Sequence, residues 1–279
     1  MMVGVQSLAD SFFASLGGRR RLLESDAFSN FMLNLSSTLM GEAASVGSSE
    51  DMYKNANNLV SVANSPSGAV EMTTEKQQEF VGGLVTSMDE AVATMEISEE
   101  TIELMMGSMG SVANGQPERL DSSAQASLFS GSLALLTAAA TPDSRMAISD
   151  ASSSSACTAL ATLLSSDELF GSGKSNSTNN SKALGDGLRN MASGKLVGRF
   201  AGMGSTETSC SGMLVSAQKL SAEDTDGVPI VAGNSSFTMP GNFSKMANLS
   251  IGDTVETSAQ VHFHFNLLRC CFLLETVSH

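Results

Sequence analysis

Tryptophan is absent from this chain of 279 residues, tyrosine occurs once, and aromatic residues together make up only 5% of the sequence. Apolar residues nevertheless account for 42%, and 17 of them are methionine. Without large rings, a core of this composition must be filled by close approach of neighbouring backbones and by flexible side chains. The length is sufficient for one large domain or two smaller ones.

Basic residues are also few. The chain has 15 lysines and arginines against 29 aspartates and glutamates, which gives a formal net charge of −14. A field of that sign disfavours non-specific binding to nucleic acids and to anionic membranes, so we expect no nucleic-acid partner. The basic cluster Arg19-Arg20-Arg21 follows two glycines and is expected to lie in an exposed linker, with a processing or contact site as the alternative.

Long apolar runs are missing. No segment contains the ~18 consecutive apolar residues that a membrane helix requires. The first 18 residues have neither the charged region nor the compact apolar region of a secretory signal peptide. The sequence also ends in RCCFLLETVSH, without a polar tail. We therefore expect either an intracellular protein or a piece of a longer chain, and the abrupt end favours the piece.

Motifs that carry catalysis or bind cofactors are missing as well. There is no CxxC pair for zinc or thiol redox chemistry and no GxSxG elbow of a serine hydrolase, and the GSGK tetrapeptide lacks the spacing of a phosphate-binding loop. His262 and His264 share one face of a predicted strand, but without a third metal ligand we expect that face to be solvated. The helix macrodipole favours acidic residues at a helix start, which accounts for Glu99, Glu100 and Glu103. The sequence accordingly predicts no catalytic residue, no cofactor and no metal site.

The sequence does contain a recurring pattern. An apolar residue precedes a polar one, an apolar pair follows eight residues after the first, and in most copies Gly or Ser comes next. The pattern starts at Met72, Ile97, Leu120 and Ile148, with a further copy at Leu23. From Met72 onward the starts are roughly 23 to 28 residues apart, a period typical of helical arrays.

Each unit has the features of a helix that packs against a neighbour. The polar residue favours a helix N-cap, and the apolar pair follows two turns later. We expect Ser98, Thr74 and Ser122 to be N-caps, the last two in capping boxes with Gln77 and Gln125.

The small residues beside each pair predict close helix packing. Glycine costs a helix ~1 kcal/mol relative to alanine, so we expect Gly82 and Gly107 to lie at helix–helix contacts. A polar loop is predicted at 171–182. Helices are predicted at 4–16, 25–40, 49–64, 74–95, 98–113, 122–140, 150–166 and 181–193.

After about residue 203 the character of the sequence changes. Residues 259–267, AQVHFHFNL, alternate apolar and polar side chains, which predicts a strand, and weaker strands are predicted at 212–218 and 234–240. The fold class is therefore α+β, with an N-terminal layered antiparallel helical array followed by a small antiparallel β subdomain. The predicted organisation is an N-terminal segment at 1–22, the helical array at 23–200, the β subdomain at 203–268 and an irregular C-terminal tail at 269–279.

The Ser/Ala/Leu-rich helices, each introduced by a capped apolar residue, resemble the region next to the receptor-for-egg-jelly (REJ) module of polycystin-like proteins. The segment SCSGMLVSAQKLSAEDTDGVPIVAGNSSFTMPGNF reads as strand, loop, short strand and an apolar-Pro step, and AQVHFHFN follows it. That order is similar to the passage from helical to β subdomain in the GAIN-like fold of polycystins and adhesion receptors. The resemblance covers residues 20–268. The chain departs from the family in lacking tryptophan, a membrane span and the His-Leu-Ser/Thr step of the family's proteolysis site, so self-cleavage is not carried over.

The resemblance implies a non-catalytic extracellular segment of a polycystin/REJ-like membrane protein, acting in adhesion, ligand sensing or force transmission. Its ligands would be proteins or glycans, and it would meet the membrane only through parts of a longer chain. An oxidising location would keep Cys157 and Cys210 paired if they approach within disulfide reach, whereas the adjacent Cys270 and Cys271 are not expected to pair with each other. The same location would place N-glycans on the Asn-x-Ser/Thr sequons, which occur at Asn34, Asn176, Asn179, Asn234, Asn242 and Asn248.

Two other classes stay open. One is a stand-alone cytosolic helical-repeat scaffold for protein interactions, to which the missing signal peptide points. The other is an enzyme whose site the sequence does not reveal.

Overall fold

Helices fill most of the chain from Arg21 to Lys195. The computed structural model describes residues 21–63, 73–113, 117–141, 145–171, 176–210, 212–233, 235–251, 253–264 and 267–277. A 3₁₀ turn lies at Pro117–Arg119. The helices of this part are α1 (Arg21–Ser45), α2 (Ser49–Ala63), α3 (Thr74–Val92), α4 (Glu99–Ala113), α5 (Ser122–Ala139), α6 (Asp150–Leu163), α7 (Asp167–Phe170) and α8 (Ser177–Lys195).

These helices correspond to the predicted ones, except that the short α7 was not predicted. The helix predicted at 4–16 lies outside the described residues. The polar loop predicted at 171–182 is wrong from Ser177 onward, because α8 begins there. Within the part of the chain that the structure describes, no helix has the length and apolarity needed to cross a lipid bilayer.

From α1 to α6, each helix packs most extensively against a helix two positions away along the chain. Contacts are richest between α1 and α3, α2 and α4, α3 and α5, and α4 and α6. The odd-numbered and even-numbered helices among these six therefore form two layers. This arrangement confirms the layered helical array predicted from the sequence.

The N-caps are the residues directly after the apolar residue of each unit. Ser98 accepts a hydrogen bond from the backbone N–H three residues on (3.1 Å), as predicted. The predicted caps Thr74 and Ser122 are wrong by one residue. Thr73 and Asp121 have the extended backbone of the cap position, and their side chains accept the hydrogen bonds from the first turn.

Gln125 does not complete the predicted capping box. Its Nε2 donates to the carbonyl oxygen of Leu120 (2.9 Å), and its Oε1 accepts a hydrogen bond from the hydroxyl of Ser166. Because Ser166 is the N-cap of α7, the Gln125 side chain ties α5 to the start of α7.

In the Leu23 copy of the repeat, Met32 is buried and Phe31 is only partly buried. The other four apolar pairs lie in the core, and none of their residues is more than 7% exposed. They are Phe80 and Val81, Met105 and Met106, Leu128 and Phe129, and Ala156 and Cys157. The glycines beside two of the pairs lie at helix contacts, as expected. A Cβ built on Gly82 would be 3.6 Å from the Cβ of Ala124 in α5, and one on Gly107 would be 3.1 Å from the ring of Tyr53 in α2.

The β subdomain contains a four-stranded antiparallel sheet of order β1-β2-β5-β6 and a separate β3–β4 hairpin. A single apolar core extends from the helices into β2, which contributes Met213, Val215 and Ala217. A short helix, α9 (Phe243–Met246), precedes β5. The strands are β1 (Thr206–Cys210), β2 (Met213–Ser221), β3 (Pro229–Ala232), β4 (Ser235–Thr238), β5 (Thr254–His264) and β6 (Leu267–Val277). The α+β fold class is therefore confirmed.

The irregular tail predicted at 269–279 is wrong. Residues 267–277 form β6, which pairs with β5 from Thr254↔Val277 to His264↔Leu267. The segment LLRCCFLLETV shows no apolar–polar alternation, so periodicity did not reveal a strand. The partner for its backbone hydrogen bonds is β5, and that partner exists only in the folded chain.

Candidate functional site

Helix α6 lies beside the strand β1, and two pairs of side chains join them. The Ser153 and Thr208 hydroxyl oxygens are 3.1 Å apart. Cys157 and Cys210 form a disulfide with a Cα–Cα distance of 5.8 Å. Four residues along a helix advance about 6 Å and two residues along a strand advance about 6.6 Å. Four residues of α6 therefore advance about as far as two residues of β1, so both pairs can form side by side.

The disulfide is asymmetric in its exposure. Cys157 is 0% exposed in the middle of α6, whereas Cys210, the last residue of β1, is only partly buried at the edge of the core. The bond joins the tip of the β1–β2 hairpin to the helical array, and the two cysteines are 53 positions apart in sequence.

Lys195, the last residue of α8, supplies the second connection to β1. Its side chain is 4% exposed, and its Nζ lies 2.9 Å from Asp150 Oδ1. The same Nζ donates to Thr208 Oγ1 (2.6 Å) and to the Glu207 carbonyl oxygen (3.1 Å), and it lies 3.4 Å from Ser153 Oγ. A buried ammonium is tolerable only when paired and hydrogen-bonded in this way.

The electrostatics of this cluster act on its one exposed member. The Asp150 carboxylate is largely solvated, yet the hydrogen bond from Lys195, reinforced by the positive charge of Lys195, lowers the pKa of Asp150 below its ordinary value. Asp150 thus remains the anion that balances the buried ammonium.

The cluster does not have the geometry of a serine–lysine catalytic pair. Lys195 has three protons and faces four acceptors, one of them a carboxylate. Ser153 is 0% exposed and donates its own proton to the Asp150 carbonyl (3.0 Å). A nucleophile needs a free base and access to substrate, and neither is present at Ser153. The arrangement holds the strand to the helices.

A second buried charge lies further along the same boundary. Glu256 in β5 is 5% exposed; its Oε1 is 2.8 Å from Arg145 Nη1 and 3.8 Å from Lys219 Nζ. Its Oε2 accepts a hydrogen bond from Ser193 Oγ (3.1 Å). Beside it lies a cavity of ≈ 10 Å³, about the space of one water molecule.

Three consecutive residues at the end of α8 contact different neighbouring elements at this boundary. Ser193 reaches β5 and Lys195 reaches β1, as described above. Between them, the Gly194 carbonyl accepts from the backbone N–H of Ile148 (3.1 Å). A Cβ at Gly194 would lie 2.6 Å from the Ile148 side chain, so this position favours glycine.

An open cleft lies above Lys195. Its volume is ≈ 410 Å³, and its lining is polar, from Asp150, Ser154, Lys195, Arg199 and residues 205–209. Arg199 at its rim donates to the Gly204 carbonyl (2.7 Å). Of the charges that line the cleft, Asp150 and Lys195 pair with each other.

The structure places five of the six sequon asparagines on the surface, and Asn234 lies outside the described residues. Asn176 is the N-cap position of α8, and Asn248 has a positive φ of 54°. The exposed asparagines are Asn34, Asn176, Asn179, Asn242 and Asn248.

The other residues considered as site candidates lie in a strand or at the start of a helix. His262 and His264 lie in β5, opposite Met213 and Leu267 respectively. Glu99 Oε1 accepts from the backbone N–H of Ala147 (2.7 Å), which links α4 to the segment before α6. In the described ranges no group of three or more His, Cys, Asp or Glu side chains could hold a metal ion.

Sequence reasoning missed Lys195, Ser153, Thr208 and Glu256. The one available signal is the position of Lys195, since a lysine between Gly194 and the apolar pair Leu196-Val197 interrupts an otherwise small and apolar run. No model of a known protein family matches the chain, and no curated protein is significantly similar to it in sequence.

Proposed function

We propose that the chain is a non-catalytic extracellular segment of a polycystin/REJ-like membrane protein, which acts in adhesion, ligand sensing or force transmission. Parts of a longer chain would connect it to the membrane, and its ligands would be proteins or glycans. The observation that carries the proposal is the covalent joint between the two parts of the fold, the Cys157–Cys210 disulfide. Disulfides persist in oxidising, extracytoplasmic environments.

Two further observations support an extracellular location. The five described sequon asparagines are exposed, so glycans at these positions need not displace packed side chains. The helical array also precedes a sheet with which it shares one core, and this order of elements is the one that the resemblance implies.

A segment that transmits force or senses a ligand must couple its parts. Buried connections at Cys157–Cys210, Lys195 and Glu256 join the helices to two strands of one sheet, β1 and β5. Displacement of the sheet would therefore load α6 and α8 directly. We infer that this coupling is the role of the buried charges.

The test uses the protein isolated from its own cells. Treatment with an N-glycosidase is expected to reduce its mass, and alkylation without prior reduction is expected to label at most two of the four cysteines in this segment. Asn176→Gln and Asn179→Gln should each remove part of the mass shift. Asn58→Gln, at an exposed asparagine outside any sequon, should leave it unchanged. An unglycosylated protein with four free thiols in a cytosolic fraction would contradict the proposal.

A cytosolic helical-repeat scaffold is the second candidate. The contacts between next-but-one helices favour it, because helical repeats stack in this way and present an extended surface to partners. The result that contradicts the extracellular location would make this scaffold the better proposal.

A further inference from the structure

The two connections between α6 and β1 differ in chemistry. One is the buried polar cluster of Lys195, Ser153 and Thr208. The other is the disulfide between Cys157 and Cys210. Only the second responds to thiol reductants, so the two connections can be separated by a redox change alone.

We propose that the Cys157–Cys210 disulfide is a redox-sensitive latch, whose reduction frees the tip of the β1–β2 hairpin from α6 while the helical array stays folded. This inference goes beyond the proposed function and does not depend on the ligand. It rests on the position of the disulfide, the exposure of its two cysteines and the contacts of Lys195 that remain when the disulfide is reduced.

The difference in exposure between the two cysteines determines which sulfur the reductant attacks. A thiolate of an external thiol or dithiol attacks the sulfur of Cys210, because Cys210 is only partly buried and Cys157 is fully buried. The S–S bond breaks, a mixed disulfide forms on Cys210, and the electron pair leaves on the sulfur of Cys157, which then takes up a proton. A second thiol of the reductant resolves the mixed disulfide, so the reductant becomes a disulfide and both cysteines become thiols.

The position of β1 explains why reduction of the disulfide loosens the hairpin tip and leaves the helical array folded. In the described sheet, β1 lies at an edge and pairs with β2 alone through five residue pairs. The helical core does not depend on it, since residues such as Phe80, Met88 and Met105 are buried between helices. Edge strands with one partner open at lower free energy than the core.

The polar cluster makes the latch reversible. Lys195 still bonds Thr208 and the Glu207 carbonyl after reduction, so β1 stays beside α6 and the two thiols remain close. Reoxidation therefore reconnects the same pair. Removal of the Lys195 connection should convert this local loosening into release of the whole strand.

Hydrogen exchange of the full chain tests the latch. The starting variant, Cys270→Ser with Cys271→Ser, removes the other two thiols and keeps the latch. Treatment with a dithiol should raise exchange at Ser209 and Cys210, the end of β1 at the hairpin tip, at least tenfold, with α3–α5 unchanged, after mass analysis shows that two thiols have formed. Lys195→Met should extend the increase to Thr206, Glu207 and Thr208 in the reduced chain. The matched control, Cys157→Ser with Cys210→Ser, should show fast β1 exchange with or without the dithiol.

The direction of attack has its own test. Cys157→Ser leaves Cys210 as a thiol, and Cys210→Ser leaves Cys157. With a small disulfide reagent, the Cys210 thiol should react at least tenfold faster than the Cys157 thiol. Equal rates would overturn the assigned direction. Loss of protection in helices and β1 together, unchanged exchange in the reduced chain, or a bond that is reduced only in denaturant would each overturn the latch itself.

Discussion

Gly110 of α4 lies directly against the backbone of Ser155 in α6. A Cβ built on Gly110 would come within 3.0 Å of both the Cα and the carbonyl oxygen of Ser155, closer than real Cβ atoms normally approach. Because these are backbone atoms, no side-chain rotation can relieve the contact. The helices α4 and α6 make the richest helix–helix contact of the array, and this glycine allows it.

We expect Gly110→Ala to destabilise the chain by about 1–3 kcal/mol, because the added methyl must displace α6. Gly83→Ala is the matched control, since Gly83 is also in a helix but has nothing within 4 Å of its Cβ position. There alanine should stabilise by about 1 kcal/mol through its helix propensity. Urea denaturation of the two variants measures both effects, and a stabilising Gly110→Ala would refute the close contact.

Substitutions at Gly82 and Gly107, the two glycines identified from the sequence, should destabilise the chain by different amounts. Gly107→Leu and Gly82→Leu should each destabilise by about 1–3 kcal/mol through overpacking. Gly82→Ala should be tolerated, because its Cβ would be at an ordinary 3.6 Å from Ala124. Thermal melts measure the order of stability of the three variants. Leucine substitutions that leave stability unchanged at both positions would argue against close packing as the reason for these glycines.

Loss of the buried carboxylate should be costly. Glu256→Ala leaves Arg145 and Lys219 without their shared anion, and breaking a buried ion pair from one side costs about 3–5 kcal/mol. Glu50→Ala removes a solvent-exposed ion pair with Lys54 and is expected to have little effect on stability, because water and salt screen exposed charges. Equal effects in denaturant titrations would mean that Glu256 is not electrostatically coupled to the helices.

Acid should weaken the connection at Lys195. The folded-state pKa of Asp150 is lowered by Lys195, so its contribution to stability is present above the ordinary aspartate pKa of about 3.9 and is lost as the pH falls through the lowered value. Asp150→Asn removes that contribution at every pH. The difference in stability between the natural chain and Asp150→Asn should therefore shrink as the pH falls below about 4. A difference that stays constant to the lowest pH at which the chain folds would contradict the ion pair.

The sequence was sufficient to predict the long helices and insufficient to predict the site. Each unit carries a local signal, as in Ile97-Ser98 followed by Met105-Met106, and caps and apolar periodicity act within one helix. Gly110 was missed although it lies in the last turn of the same helix, because its partner is a backbone in another helix. The clusters at Lys195 and Glu256 join residues that are distant in sequence, and no local pattern announces them.

By itself, the sequence determined the order of the long helices between residues 21 and 195, the change to strands after about residue 203, and the burial of most residues of the apolar pairs, since these follow from short-range periodicity and from apolar transfer out of water. Only the tertiary structure decided that residues 267–277 form a strand, that Cys157 meets Cys210, and that Lys195 is buried against β1. Each of these depends on a partner brought close by the whole fold, because a strand needs a neighbouring ladder and a buried charge needs its counter-ion.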